Sequence, residues 1–256
     1  LPVPVVLVGA QRSSDRGSSD AYQNLTAAAV FITATDCASV CICMHESMDD
    51  DACIILPGTR SRKMHTSQRN AFRPINAKPY ARVRTNERRI EVIDDRYRRR
   101  DKEAHLQLRP IREDVKVGLL KVHTNMFAEQ FLAYKDFDGL VLEGTALGQL
   151  PNVSFDEHTK EHERIEKALS TLAQRMPVVM ASQCIYGRID MNVYSEGRKN
   201  IKLGIMGNYH DMTPETTFIK LAWLLSNVKS EEVKMLITTN LRGEIEERLD
   251  YDTFLW

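Results

Sequence analysis

The chain has 256 residues and a mass of 29.3 kDa, enough to bury a sizeable core in one large domain or two small ones. Basic and acidic residues number 35 each, so the formal net charge is zero, which argues against a general nucleic-acid or membrane-surface binder. No apolar run approaches the ~20 residues that cross a bilayer, so no membrane association is expected.

The run Val3–Val8 is apolar and rich in β-branched residues, which predicts a buried, central strand of a parallel sheet. It leads into Gly-Ala-Gln-Arg at Gly9–Arg12 and then a Ser/Asp-rich loop, and loops in this position form the sites of open α/β sheets. A buried strand so close to the first residue indicates that an earlier part of the domain is missing. The first domain is therefore expected to be incomplete.

Ala21–Thr35 is predicted to be a helix whose N-terminus Ser19 or Asp20 can cap. Two short strands and a polar loop come next, at Val40–Met44, Ala52–Leu56 and Pro57–Asn76. This order is typical of a βαβ sheet that finishes with a hairpin. The first domain is assigned to residues 1–93.

The segment Arg82–Lys102 carries nine Arg or Lys residues against five Asp or Glu and lacks apolar periodicity. It is interpreted as a surface hairpin that leads into a linker over residues 94–114. An RNA-contact surface is the alternative, although a basic run without interleaved aromatic residues is more typical of a solvated face.

Strands and helices alternate again in the second half, which predicts a second, smaller parallel sheet in a domain over residues 115–256. The predicted strands are Val115–Val122, Gly139–Leu142 and Pro177–Ala181. The predicted helices are Met126–Lys135, Asp156–Arg175, Thr213–Asn227 and Ser230–Thr239. The fold class is therefore α/β, with two parallel-sheet domains.

The cysteines are five in number, and four of them lie in or near apolar runs. They are Cys37, Cys41, Cys43, Cys53 and Cys184. We predict reduced thiols of a cytoplasmic protein, mostly in its core. The Cys-x-Cys pair has the wrong spacing for a zinc site and lacks a second pair, so no metal site is predicted.

Three polar loops could carry chemistry, at Gly9–Asp15, Ser61–Ser67 and Glu143–Pro151, and the first and third directly follow predicted strands. Each also has a purely structural interpretation, since glycines can serve turns alone. On residue type alone, Lys63 in the second loop is a solvated surface lysine rather than a catalytic one.

The sequences of these loops and their order along the chain resemble the asparaginase/glutaminase family, and the resemblance covers essentially the whole chain. The matching motifs are Val-Gly-Ala-Gln-Arg at 8–12, Arg-Lys-Met-His-Thr at 62–66 and Leu-Glu-Gly-Thr-Ala-Leu-Gly at 142–148. Within the family, the chain resembles the glutamine-hydrolysing subunits of archaeal tRNA-dependent amidotransferases. The motifs behind that narrower resemblance are Ala71–Asn76, Ser182–Arg188, Asn192–Ser195 and Gly243–Arg248. The resemblance implies an asparaginase-type α/β fold.

The resemblance also implies a mechanism in which a threonine hydroxyl attacks the side-chain amide of glutamine or asparagine, ammonia leaves, and water cleaves the acyl-enzyme. Lys63 matches the family's catalytic lysine and would relay the proton of the weakly nucleophilic hydroxyl together with a carboxylate. Ala10 matches a loop residue whose backbone approaches the amide. Gln149 matches a polar position that reaches into a neighbouring subunit's site, so a homodimer core is expected.

In the resembled amidotransferases, the ammonia passes to a partner subunit that phosphorylates glutamate on misacylated tRNA and converts it to glutamine. ATP, Mg²⁺ and most tRNA contacts are accordingly expected in this partner, and no cofactor is expected in the present chain. The sequence contains no Gly-x-x-x-x-Gly-Lys-Ser/Thr phosphate loop.

The sequence departs from the family in lacking its two threonine motifs, Thr-Gly-Gly-Thr and His-Gly-Thr-Asp-Thr, and its small upstream β-barrel. The chain is therefore expected to be the C-terminal part of a longer subunit or a truncated gene product, inactive by itself. Two other functions stay open: a fragment of a free-standing L-asparaginase, and a non-catalytic assembly module.

Overall fold

The computed structural model describes residues 2–254. The chain divides into two compact units, one formed by residues up to 108 together with residues from 248 onward, the other by residues 109–247. Each unit has its own sheet and its own hydrophobic core.

The first unit holds a five-stranded sheet with a helix packed on one face. Its elements are β1 (Val5–Val8), α1 (Ala21–Ala34), β2 (Val40–His45), β3 (Cys53–Pro57), β4 (Ser61–Lys63), β5 (Phe72–Pro74), β6 (Ala81–Arg84) and β7 (Arg89–Val92). The strand order is β1-β2-β3-β6-β7; β1 and β2 run parallel, and the other neighbours run antiparallel. The sheet is thus mixed, and the predicted βαβ arrangement continues into antiparallel hairpins.

The core of the first unit lies between α1 and the sheet. Because side chains alternate along β2, its Cys41 and Cys43 point to the same face, where they pack with Phe31 of α1 and Cys53 of β3. All five cysteines are free thiols; Cys184 is exposed and the other four are buried. Among residues 2–254, no group of three or more His, Cys, Asp or Glu side chains is arranged to hold a metal ion.

Strand β1 is an edge strand, and the prediction of a buried central strand at Val3–Val8 is wrong. Leu7 is 55% exposed and Val5 is 36% exposed, whereas Val6 on the other face packs against the α1 core. An apolar run predicts burial, but it cannot tell a central strand from one that is bonded to a neighbour on one side. In the described part of the chain, that neighbour is β2.

The predicted loop at Pro57–Asn76 is largely structured. It contains a short 3₁₀ turn at Gly58–Arg60 and a two-stranded hairpin of β4 and β5. In this hairpin Lys63 pairs with Phe72. The strands are only three residues long, which is too short for a pattern of alternating polarity to reveal them.

The second unit is a three-layer α/β arrangement around a parallel sheet. Its elements are β8 (Val117–Lys121), α2 (Ala128–Leu132), β9 (Gly139–Gly144), α3 (Glu161–Arg175), β10 (Val178–Ser182), α4 (Ser195–Lys202), α5 (Pro214–Asn227) and α6 (Ser230–Leu236). The strand order is β10-β9-β8 and both pairings are parallel, as predicted.

Alternate residues of the central strand β9 face opposite layers of this unit. Leu140 and Leu142 pack in the cluster that contains Leu169 of α3, while Val141 packs in the cluster that contains Leu224 of α5. A strand covered on both faces is apolar throughout, so the strands of this sheet could be predicted from their apolar runs.

Helix α4 was not predicted, because its sequence contains Gly197 and a single large apolar side chain, Ile201. Glycine is required there: a Cβ atom at Gly197 would lie 2.4 Å from the carbonyl oxygen of Met191. Helix α3 begins at Glu161 rather than at Asp156, since the Asp156 carboxylate accepts from the N–H groups of a separate 3₁₀ turn at Glu157–Thr159. Within residues 2–254, no helix has both the length and the apolarity that crossing a membrane requires.

Candidate functional site

The loop after β1 is held in place by a buried carboxylate. Asp20 accepts hydrogen bonds from the backbone N–H groups of Gln11 and Arg12, each at 3.0 Å. Asp20 was predicted to be able to cap α1, but it makes no side-chain N-cap bond; the hydroxyl of Ser19 accepts from the first turn instead. Burial raises the pKa of Asp20, yet the bonds from Arg12 and Gln11 outweigh it, and the pKa lies below its usual value. Charge-assisted hydrogen bonds therefore fix this loop.

Asn24 connects the same loop to the interior of the first unit. Its Nδ2 donates to the carbonyl oxygen of Gly9 at 2.9 Å and to Asp20 at 3.2 Å, and its Oδ1 lies 2.7 Å from Nδ1 of His45. Asn24 and His45 are both fully buried. Ala10, the residue expected to approach the substrate amide, is exposed next to Gly9.

Lys63 is the last residue of β4 and is exposed. Its ammonium forms no ion pair or hydrogen bond with any of residues 2–254. The turn of this hairpin is tied to the loop after β1 by Arg69, which donates to the carbonyl oxygen of Ser18 at 2.8 Å and to Asp50 at 2.5 Å. Arg69 thus joins the segment just after the second candidate loop to the segment just after the first. The approach of Lys63 itself to Ala10 stays a prediction.

The third candidate loop, after β9, is a tight turn in the second unit. The N–H of Thr145 donates to the carbonyl of Gln149 at 3.1 Å, and the N–H of Gln149 donates back at 2.9 Å. The amide nitrogen and oxygen of the Gln149 side chain are both buried and have no hydrogen-bond partner in the described part of the chain. The expected role of Gln149 in a neighbouring subunit's site stays a prediction.

Gln183 joins the carboxyl ends of the strands in the second sheet. Its side-chain amide donates to the carbonyl oxygens of Val122 at 2.5 Å and Glu143 at 2.8 Å, and its backbone N–H donates to Gly144 at 2.9 Å. The motif Ser182–Arg188, noted from the sequence, therefore contains, as its second residue, a side chain that fixes the edge bearing the third loop.

Five of the nine basic residues in Arg82–Lys102 form ion pairs with carboxylates. Arg82 contacts Glu46 at 2.5 Å and Glu91 at 3.0 Å, and Arg99 contacts Asp36 at 2.8 Å. Its first part is the hairpin of β6 and β7, so the predicted surface hairpin is present. Ion pairing of this kind reduces the positive charge available to phosphates, which weakens the RNA-contact alternative.

Sequence reasoning missed His45 and Arg69. Their partners are distant along the chain: His45 contacts Asn24 across 21 residues, and Arg69 contacts Ser18 across 51 residues. The one local signal is a histidine that ends the apolar run Val-Cys-Ile-Cys-Met of β2, at the edge where open α/β sheets place their sites.

Two family models match the chain: Asparaginase, N-terminal, over residues 1–97, and Glutaminase/Asparaginase C-terminal domain over residues 116–235. Curated relatives include a glutamyl-tRNA(Gln) amidotransferase subunit of Pyrococcus abyssi, 43% identical over 100% of the chain. The corresponding proteins of Methanosphaera stadtmanae and Archaeoglobus fulgidus are 42% and 40% identical over 99% and 98% of the chain. The chain spans 56% of the length of each of these relatives.

Solved structures with a similar fold include the thermostable L-asparaginase from Thermococcus kodakarensis, with a TM-score of 0.78 at 28% identity. This match covers 96% of the present chain and 69% of the other. The L-asparaginase I from Vibrio cholerae has a TM-score of 0.76 at 24% identity, with the same coverage, and supports the fold alone.

Proposed function

The chain belongs to the asparaginase/glutaminase family and has that family's α/β fold, and we propose that it is the ammonia-releasing part of a tRNA-dependent amidotransferase. The proposed reaction is hydrolysis of the side-chain amide of glutamine. The ammonia then serves the conversion of Glu-tRNA(Gln) to Gln-tRNA(Gln). The observation that carries this proposal is 43% identity over the full chain to the Pyrococcus abyssi amidotransferase subunit.

Lys63 is the proposed catalytic residue of this chain, and the backbone at Ala10 is proposed to approach the substrate amide. A lysine can accept the proton of a threonine hydroxyl when desolvation lowers the pKa of the ammonium. The absence of an ion pair at Lys63 among residues 2–254 leaves its side-chain nitrogen available for this role. The contacts of Arg69 with Ser18 and of Asp20 with the loop after β1 support a site formed by these two segments.

The nucleophile must come from outside this sequence, because neither Thr-Gly-Gly-Thr nor His-Gly-Thr-Asp-Thr occurs in it. Lys63 can activate a hydroxyl but cannot replace one. Since losing a nucleophile lowers turnover by several powers of ten, we propose that the chain alone is inactive.

The partners follow from the same proposal. A separate kinase and transamidase subunit would supply ATP, Mg²⁺ and most tRNA contacts. The free thiols of all five cysteines support a cytoplasmic setting. A homodimer core is proposed through the loop Glu143–Pro151, with Gln149 completing the site of the second copy.

Ammonia release tests the proposal. The purified chain should release no measurable ammonia from glutamine or asparagine. The same chain preceded by the unmatched part of the Pyrococcus abyssi relative should release ammonia from glutamine. In that longer protein, Lys63→Met should lower turnover by at least ~1,000-fold with unchanged circular dichroism, because the substitution keeps length and removes the charge.

Lys102→Met is the matched control, since Lys102 is an exposed lysine in the first unit outside both candidate loops. It should retain full turnover. Near-normal activity in Lys63→Met would show that Lys63 is a solvated surface lysine and not a catalytic residue. Robust ammonia release by the chain alone would contradict both the missing nucleophile and the assignment of Lys63.

A free-standing L-asparaginase is the second candidate, favoured by the structural similarity to the Thermococcus kodakarensis enzyme. It predicts faster ammonia release from asparagine than from glutamine by the longer protein, with no stimulation by an amidotransferase partner. One methylene is worth ~1–3 kcal/mol in a pocket, so the ratio of the two rates is measurable. A longer protein that binds the partner but releases no ammonia would instead indicate the assembly module.

A further inference from the structure

His45 is a buried histidine at the carboxyl end of β2 whose two ring nitrogens face different segments. Nδ1 lies 2.7 Å from Oδ1 of Asn24. Nε2 lies 3.5 Å from Oδ1 of Asp50 and has no hydrogen-bond partner in the described part of the chain. The ring therefore stands between α1 and the loop that follows β2.

The hydrogen-bond network places a proton on Nδ1. Nδ2 of Asn24 donates to the carbonyl oxygen of Gly9 and to the carboxylate of Asp20, so Oδ1 of Asn24 is left to accept. Nδ1 of His45 must then be the donor. Nε2 carries a second proton only when the ring is cationic, and in that state it forms an ion pair with Asp50.

Each nitrogen leads to one of the two candidate segments. From Nδ1, the hydrogen bonds lead to Asn24, which bonds to Gly9 in the loop after β1 and to Asp20. Asp20 in turn holds the same loop. From Nε2, the contacts run through Asp50 to Arg69, which belongs to the turn of the β4–β5 hairpin.

We propose that His45 is a positioning residue that holds both segments of the site, the loop of Ala10 through Asn24 and the hairpin of Lys63 through Asp50 and Arg69. The inference rests on the proposed function for the roles of Ala10 and Lys63. Its test measures the two segments directly and needs no turnover, so it can fail or succeed whether or not ammonia is released.

The charged and titratable groups around the ring come from four elements. They are Asp20 of α1, Asp50 of the loop after β2, Cys53 of β3 and Arg69 of the hairpin. Burial and the positive charge of Arg69 lower the pKa of His45, whereas contact with Cys53 and the negative charge of Asp20 raise it. The raising effects are larger, so the pKa lies above its ordinary 6.5. The contact with Asp50 is thus complete below pH 6.5 and is lost as pH rises through the higher folded-state pKa.

Backbone amide exchange in His45 variants separates the two halves of the proposal. His45→Asn keeps a donor near Nδ1 and removes Nε2, whereas His45→Gln keeps a donor near Nε2 and removes Nδ1. In His45→Asn, the amides of Met64 and Ala71 should exchange at least ~10-fold faster, with Gln11 and Arg12 unchanged. His45→Gln should give the reverse pattern. A ring that only fills space would loosen both segments or neither, and either result would overturn the proposal.

Substitution of a buried residue can prevent folding, so Asp50→Asn on the exposed loop is the second variant, with the neighbouring Asp49→Asn as its control. In the unaltered protein and in Asp49→Asn, protection of Met64 and Ala71, corrected for intrinsic exchange, should fall between about pH 5.5 and about pH 8.5. In Asp50→Asn, the protection of these two amides should be low at every pH in this range.

The hairpin turn contains a second histidine, His65, whose Nδ1 accepts from the N–H groups of Ser67 and Gln68. His65 is present in every variant of the test and cannot imitate the expected difference between Asp50→Asn and Asp49→Asn. Protection that is independent of pH in the unaltered protein, or equally lost in both variants, would refute the role of His45.

Discussion

Ala146 has a backbone conformation that residues with a side chain rarely adopt. Its φ is +46°, in the turn closed by Thr145 and Gln149. The left-handed region costs a non-glycine residue roughly 1–2 kcal/mol, and Ala146 is exposed, so glycine there would lose little packing. We expect Ala146→Gly to raise the free energy of unfolding of the second unit by ~1 kcal/mol in urea denaturation.

Ala133→Gly provides the control, since Ala133 is an exposed alanine of the same unit at the end of α2 with an ordinary helical φ of −57°. Glycine there should lower stability by up to ~1 kcal/mol, because it adds backbone freedom to the unfolded chain without relieving strain. Destabilisation by Ala146→Gly would show that the turn tolerates its alanine at no cost.

The closing segment of the second unit is joined to α5 by a buried ion pair. Lys220 Nζ lies 2.7 Å from Glu244, and both side chains are more than nine-tenths buried. Glu244 also accepts from the backbone N–H groups of Leu241 and Arg242, at 3.0 and 2.5 Å. The carboxylate thus determines the path of the chain after α6.

Glu244→Gln should lower the free energy of unfolding at neutral pH by ~3 kcal/mol or more, because it leaves the Lys220 ammonium buried without a countercharge. Burial raises the pKa of Glu244, but Lys220 and the backbone bonds outweigh it, so the pKa lies below 4.5. A lowered carboxyl pKa contributes stability above pH 4.5 that is lost as pH falls through the folded-state value. Urea denaturation at neutral and acidic pH measures both effects.

Glu247→Gln serves as the comparison, because Glu247 is an exposed glutamate three residues along the same segment. It should change stability by less than ~0.5 kcal/mol. If Glu244→Gln and Glu247→Gln behaved alike, the buried pair would contribute nothing that a neutral amide cannot supply.

Within residues 2–254, the edge strand β1 has a sheet neighbour on one side only and exposes apolar side chains, a combination that favours association between sheets. Leu7→Lys should therefore reduce concentration-dependent association of the isolated chain, measured by light scattering, with little change in unfolding free energy. Ile55→Lys on the fully buried strand β3 should instead prevent folding. Unchanged association in Leu7→Lys would mean that this edge does not mediate contacts.

The strands whose place in the sheet could be predicted are those buried along almost their whole length. β9 and β10 are covered on both faces, so their apolar runs identify them. β1 has an equally apolar run but lies at an edge, and α4 depends on Gly197 fitting against Met191. Ala10, Lys63 and Gln149 are candidates that come from the resemblance and stay predictions, whereas His45 and Arg69 depend on pairings across the fold that no local pattern encodes.

At the scale of the whole molecule, the chain passes between its two units twice, near residue 109 and again near residue 248. The returning stretch is held in the first unit by the ion pair of Asp252 with Lys78 at 2.7 Å and by the buried side chain of Thr253. The second unit, in contrast, is one continuous stretch of chain.

This chain path determines which unit is first to have all its residues outside the ribosomal exit tunnel. Residues 109–247 have all been synthesised before Asp252 can reach Lys78. We therefore expect the second unit to become protease-resistant on ribosome-bound chains that end shortly after residue 247 has left the exit tunnel. Full resistance of the first unit should require that the stretch with Asp252 and Thr253 has also left the tunnel, so the first unit would complete its packing after the second.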